Sequence, residues 1–241
     1  MTSEGSYPAK AAYQDYSVAE RYEELRFSGW LGRYRWRREQ AAVGAMVERL
    51  PGGVKVLDCP CGTGRWWKVL SSRATAIVGA DVSPGMLRYA AERAERSGIS
   101  VELLEAEAEK LPFGDESVDY TFSHALTKHL PIPVQANVLR EFARVSRFGV
   151  VCSFSIFSHA SYEFWRRRRP SQSYPLLSEQ LEWLADAAGL DREASKKCTT
   201  PIGVEHSVLF KKRRVNLIGD SSGTIPTVPH QDSHRSPGRK C

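Results

Sequence analysis

Apolar and polar positions along this chain follow two alternating rhythms, and their order predicts a fold in which strands and helices take turns. Short apolar runs with the length of buried strands end at Asp58 (VLD), at Asp81 (ATAIVGAD) and at Phe122 (SVDYTF), and others fall at 100–104 and 149–157. Between them the spacing changes to three and four. A helix starts at Trp66 and runs to about residue 72. Another carries Met86, Leu87, Ala90 and Ala94 behind a Ser83-Pro84 cap and stops at Gly98. A third (131–146) lines up Val134, Val138, Phe142 and Val145, and a fourth (176–189) lines up Leu177, Leu181, Leu184 and Ala188. Two last strands are predicted at 192–198 and 205–211. Residues 13–50 read as helical, closed by Pro51, Gly52 and Gly53. Strands that alternate with helices imply a parallel sheet covered on both faces.

The stretch VLDCPCGTGRW (56–66) organises the rest. A strand, a glycine turn and a helix start form a binding device, because Gly62 and Gly64 let backbone approach a ligand and the helix start offers backbone N–H groups. Asp81, closing the next strand, suits the two hydroxyls of a ribose. Asp58 stands just before the turn. A carboxylate there repels a pyrophosphate and attracts a cation, such as the ammonium of an amino acid.

VLDCPCGTG, then VGADVSPGML, then EAEKLPF resemble the first three motifs of the class I S-adenosylmethionine (SAM) methyltransferases. The likeness is greatest to the ubiquinone and menaquinone biosynthesis branch and runs from about residue 16 to residue 212. It implies a three-layer α/β/α sandwich, with a Rossmann-like, seven-stranded, mostly parallel sheet in the order 3-2-1-4-5-7-6 under an N-terminal helical lid. It also implies SAM as cofactor. The positions that match put Asp58, Gly62, Gly64 and Asp81 at the cofactor, with Met86 as an apolar wall for adenine and Glu107 and Ala108 at the adenine edge. Tyr16 and Tyr22, in the segment YQDYSVAERYEEL, match the family's lid. The chain departs from the pattern at Pro60, which replaces the first glycine, at Glu107, which replaces an aspartate, and at Arg147-Phe148-Gly149, where a proline and glycines are usual. The expected organisation is a lid segment (1–50), a SAM-binding domain (51–214) and a disordered basic tail (215–241).

Charge then narrows the partners. The net +6 is concentrated at the end of the chain, where residues 211–241 hold seven bases and two acids; the first 210 residues are within one charge of neutral. A broadly basic globular surface, the usual mark of a nucleic-acid binder, is not expected. WLGRYRWRREQ (30–40) interleaves rings and arginines, a pattern open to phosphates, bases or an anionic lipid surface but read mainly as the solvated face of an amphipathic helix whose stems cover the core, and SYEFWRRRRP (161–170) reads mainly as a solvated segment. No apolar run is long enough to span a membrane. The five cysteines lack disulfide or zinc spacing, and a reducing, cytoplasmic setting is expected.

Acceptor-side chemistry is placed by the sheet. Ser123 and His124 leave the C-terminal end of the fourth strand, the edge where ligands sit in an open parallel sheet. His124 and His129 are the candidate bases, and Lys128 shares a face with His124 if that segment is helical. Methyl transfer to a small hydrophobic or anionic metabolite leads. The alternatives are RNA or protein methylation, and a SAM-binding module without turnover. Composition also predicts that truncation after residue 215, which removes Pro-, Ser- and Gly-rich sequence, leaves the melting temperature in SAM nearly unchanged. A clear loss of stability or of methyl transfer would show that this segment docks on the core.

Overall fold

The computed structural model describes residues 28–168, 173–200 and 203–213, without the side chains of residues 168 and 200. The expected lid residues Tyr16 and Tyr22 and the expected tail from 215 lie outside them. The sheet has seven strands in the order β3-β2-β1-β4-β5-β7-β6. These are β1 (Val54–Asp58), β2 (Ala74–Asp81), β3 (Val101–Glu105), β4 (Val118–Ser123), β5 (Ser146–Phe154), β6 (Leu190–Thr200) and β7 (Gly203–Lys212). The first five pair in parallel, and β7 pairs antiparallel with both β5 and β6.

Helices cover both faces, and strand alternation decides which residue meets which helix. On one face Leu57, Val150 and Phe210 pack with Leu139 and Phe142 of α4 (Ile132–Val145) and with Leu181 and Leu184 of α6 (Ser178–Ala187). On the other, Val56, Val151 and Leu209 meet Val43, Met46 and Val47 of α1 (Gly29–Val47), Trp67 and Leu70 of α2 (Trp67–Leu70), and Ala90 of α3 (Pro84–Ser97). Each large aliphatic or aromatic side chain so buried contributes about 1.5–3 kcal/mol relative to exposure. The Ser83 side chain caps α3 by accepting the Met86 N–H, and Gly98 ends it in the left-handed region.

Three elements differ from the periodicity. The helix expected from Trp66 to about 72 is a single α-helical turn. The segment 124–126 is not helical, and only Thr127–His129 forms a 3₁₀ turn, so His124 and Lys128 are not brought together by helical spacing. Finally, β5 begins at Ser146, with no loop after α4. SYEFWRRR lies in α5 (His159–Arg168), where Arg166 and Arg167 are exposed as expected and Phe164 is exposed as well.

Gly149 is required by close approach. A Cβ there would lie 2.1 Å from the Phe210 carbonyl oxygen of β7. Gly149→Ala should destabilise the protein by about 1–3 kcal/mol, or prevent β5–β7 pairing outright. Gly44→Ala, in the interior of α1 with nothing within 4 Å, should stabilise it by about 0.5–1 kcal/mol. Chemical denaturation of both variants checks the pair.

Candidate active site

The C-terminal ends of β1, β2 and β4 meet around the glycine turn. Two backbone bonds extend the sheet into it: the Cys59 N–H donates to the Phe122 carbonyl at 2.9 Å and the Cys61 N–H to the Ala80 carbonyl at 2.8 Å. Gly62 has φ +51° and open space where a Cβ would be, so backbone is presented there without a side chain. Gly64 answers a different need. At φ +69° its absent Cβ leaves room for the buried Trp67 ring, which would otherwise be 2.5 Å away.

Asp81 holds this turn. One carboxylate oxygen accepts the Gly62 N–H and the other the Ser83 N–H, both at 2.9 Å. Burial raises its pKa, and the amides of Ser83, Gly62 and Val82 act against that. A carboxylate has about four acceptor sites, so two amide bonds leave capacity for ribose hydroxyls. Asp58 is fully buried, and neither oxygen makes a hydrogen bond of normal geometry. Burial pushes its carboxyl well above the usual range; Trp67 lowers it, Asp81 raises it and Arg65 lowers it. An orphaned buried carboxyl beside an open glycine is what a cationic amino acid end would satisfy. Met86 is buried at the start of α3, and Ser123 is buried at the end of β4. Glu107 is exposed and bridges in antiparallel fashion to Lys110, while Ala108 packs on the core. That loop is clasped to α4, because Glu141 accepts the Leu111 N–H at 2.7 Å and Arg144 donates to the Phe113 carbonyl at 2.8 Å.

Burial pushes the Cys59 and Cys61 thiols well up, and Cys152 up to about 12, so none is a thiolate nucleophile at neutral pH.

Beside this cradle lies a cluster that the sequence did not disclose. Glu39 occupies the buried stripe of α1 with Ala42, Val43, Met46 and Val47. Its carboxylate lies 3.3 Å from Arg35, 3.8 Å from Arg65 and 3.9 Å from His124 Nε2. Glu205 of β7 lies 3.8 Å from the same Nε2 and hydrogen-bonds Lys128. The His124 ring meets Trp66 edge-on at 4.6 Å. Trp66 in turn lies 4.8 Å from Trp36, and Arg65 stands over both indoles at 5.2 and 5.6 Å. Lys128 and His124 thus converge through Glu205. His129 lies half-buried in the 3₁₀ turn that carries Lys128. The one signal in the sequence was Glu39 itself, an acid at apolar spacing. Among the described residues, Glu39, His124 and Glu205 could approach one metal ion, and the same two carboxylates are faced by Arg35, Arg65 and Lys128.

Residues 56–149 match the methyltransferase domain family. The chain is 34% identical over 200 residues to a demethylmenaquinone methyltransferase of Thermobifida fusca, a match covering 74% of this chain and 81% of that one. The chain belongs to the class I SAM-dependent methyltransferases. A demethylmenaquinone methyltransferase of Thermus thermophilus is 40% identical over 105 residues, covering 42% of this methyltransferase and 46% of the relative. The fold matches magnesium protoporphyrin IX methyltransferase from Synechocystis with bound SAH (TM-score 0.71, 13% identity, 85% of this chain and 98% of that chain). It also matches the [4+2]-cyclase SpnF (TM-score 0.61, 21% identity, 72% and 81%). SAM is the methyl donor of this methyltransferase, and the turn around Asp58, Gly62 and Asp81 has the chemistry to hold it.

Two carboxyl substitutions test that fit. Burial raises the Asp58 carboxyl well above the usual range in the native protein, whereas the unfolded chain releases its proton near about pH 4. The associated stability is therefore present below that range and lost as pH rises through the folded value. Asp58→Asn should raise the melting temperature of the SAM-free protein at pH 7 and weaken SAM binding at least about tenfold. Asp81→Ala should weaken SAM as much but lower the melting temperature, since two backbone amides lose their acceptor, at about 1–3 kcal/mol each. Calorimetry and thermal melts separate the two; unchanged SAM affinity would remove either residue from the site.

Proposed function

We propose that this methyltransferase transfers the SAM methyl to a small, largely apolar aromatic acceptor bearing an ionisable hydroxyl, with His124 removing the proton. The observation that carries this is the grouping at the end of β4. His124 sits beside the Trp36–Trp66 pair, with Arg65 and Lys128 supplying positive charge. Indoles offer a flat apolar wall, and the cations favour an oxyanion next to it. Demethylmenaquinone, for which the Thermobifida fusca relative is named, is in this chemical class when reduced.

SAM supplies an electrophilic methyl on a sulfonium, so the chain's own task is alignment, water exclusion and, for a hydroxyl, proton removal. Asp58, Gly62 and Asp81 hold the donor, with Met86, Ala108 and Ser123 around it and Gly64 admitting Trp67 beneath the turn. The family resemblance assigns Tyr16 and Tyr22 to the cofactor side as well, and Glu107 to the adenine edge. No helix among the described residues is long and apolar enough to cross a membrane. A reducing, cytoplasmic setting belongs to the same reading, supported by four described cysteines that are free thiols and buried.

The test is transfer of labelled methyl from SAM, first to a reduced naphthoquinone lacking a ring methyl and then to a fractionated extract. Label should enter small molecules; label in RNA or protein would overturn the reading. With the acceptor in hand, His124→Gln should lower turnover by about 10²–10⁴-fold with SAM affinity and melting temperature unchanged, and His129→Gln should leave turnover near the parent. Full turnover in both would mean that alignment alone suffices.

A further inference from the structure

We infer that Glu39 and Glu205 are positioning residues that fix the His124 ring in the tautomer protonated at Nε2, so that Nδ1 is its basic atom. This rests on the reading of His124 as base and adds which nitrogen takes the proton and what holds it. Carboxylate oxygens from α1 and from β7 lie 3.9 and 3.8 Å from the same ring nitrogen. Neither length is a hydrogen bond, yet two negative charges on one side of a buried ring favour an N–H dipole pointing at them over a lone pair. A neutral imidazole has one proton, so placing it on Nε2 leaves the lone pair on Nδ1. Trp66, edge-on at 4.6 Å, limits rotation of the ring out of this arrangement.

The carboxylates are themselves fixed. Glu39 faces Arg35 on its own helix and Arg65 from the glycine turn; Glu205 faces Lys128 from the 3₁₀ turn. On β6, burial raises the pKa of the Cys198 thiol, with Glu39 and Glu205 raising it further and Arg38 and Arg35 acting against them, so it adds no charge near neutrality. Burial lowers the pKa of His206, the neighbour of Glu205, and Lys197 and Arg192 lower it further. Among the described residues, the charges nearest His124 Nε2 are this pair of acids, faced by three cations on three elements.

The test reads the ring directly and needs no acceptor. Nitrogen-15 NMR of histidine-labelled, SAM-loaded protein, assigned by His124→Gln, reports the tautomer and the titration midpoint. The expected result is a neutral His124 protonated at Nε2, with Glu205→Gln moving its midpoint to lower pH by about half a unit or more, because a neighbouring carboxylate favours the imidazolium. His206 should titrate unchanged. A neutral His124 protonated at Nδ1, or a midpoint that Glu205→Gln leaves in place, would overturn the proposal. If Glu205→Gln does not fold, the tautomer in the parent protein still decides. The methyl-transfer assay of His124→Gln is separate: full turnover there, with the Nε2 tautomer observed, removes the base and leaves the positioning intact.

Discussion

The carboxylate of Asp81 is the interaction on which the site depends. It terminates β2, yet its two oxygens reach forward to the Ser83 amide and back to the Gly62 amide of the preceding turn. One side chain thereby ties the end of the strand, the start of α3 and the glycine turn that follows β1. The turn has few other means of holding its shape, since Gly62 has open space in place of a side chain. Charge-assisted bonds to backbone amides are among the stronger single hydrogen bonds in a protein. The Asp81 carbonyl also accepts the Ala106 N–H at 3.1 Å, which brings the end of β3 and the Glu107–Ala108 loop to the same rim.

The glycine turn is built from beneath as well as from the side. Trp67 lies fully buried under it, fitting only because neither Gly64 nor Gly79 carries a side chain; a Cβ on Gly79 would lie 3.0 Å from its ring. The single turn of α2 follows from this. With Trp66 turned to the His124 side and Trp67 to the sheet, the chain serves two packing surfaces within two residues and reaches β2 after one more turn. Asp58 is enclosed by the same packing. Its burial is unfavourable in the absence of a cation, a cost a purely structural residue would not impose.

Most of the architecture was legible because it rests on local signals. The period-two strands, the Ser83-Pro84 start of α3, its Gly98 stop and the acid ending β2 each announce themselves within a few residues, and the sheet order follows the family resemblance. What was not legible depends on contacts between distant segments. Gly149 read as the first residue of a strand, whereas it lies inside β5, which starts at Ser146, at a point where the β7 backbone passes too close for a Cβ. The likeness of His124 and Lys128 to a helical pair was misleading, since Glu205 of β7, far along the chain, is what joins them. Arginines 33 to 38 read alike in sequence. In the fold Arg33, Arg37 and Arg38 stay in solvent, and Arg35 turns toward Glu39.

That last contrast bears on why α1 carries an acid in its buried stripe. A buried ion pair is seldom more stabilising than apolar side chains of similar volume, because desolvation consumes much of the Coulombic gain. An apolar residue at position 39 would continue the Ala42, Val43, Met46 face and serve packing at least as well. The carboxylate instead requires Arg35 and Arg65 to accompany it, and Arg65 in turn requires the two indoles over which it stands. Five side chains are thus committed to keeping one charge beside His124. Packing does not explain that commitment, whereas the proton-transfer role proposed for His124 would, because such a role needs fixed charge at a fixed distance from one imidazole nitrogen.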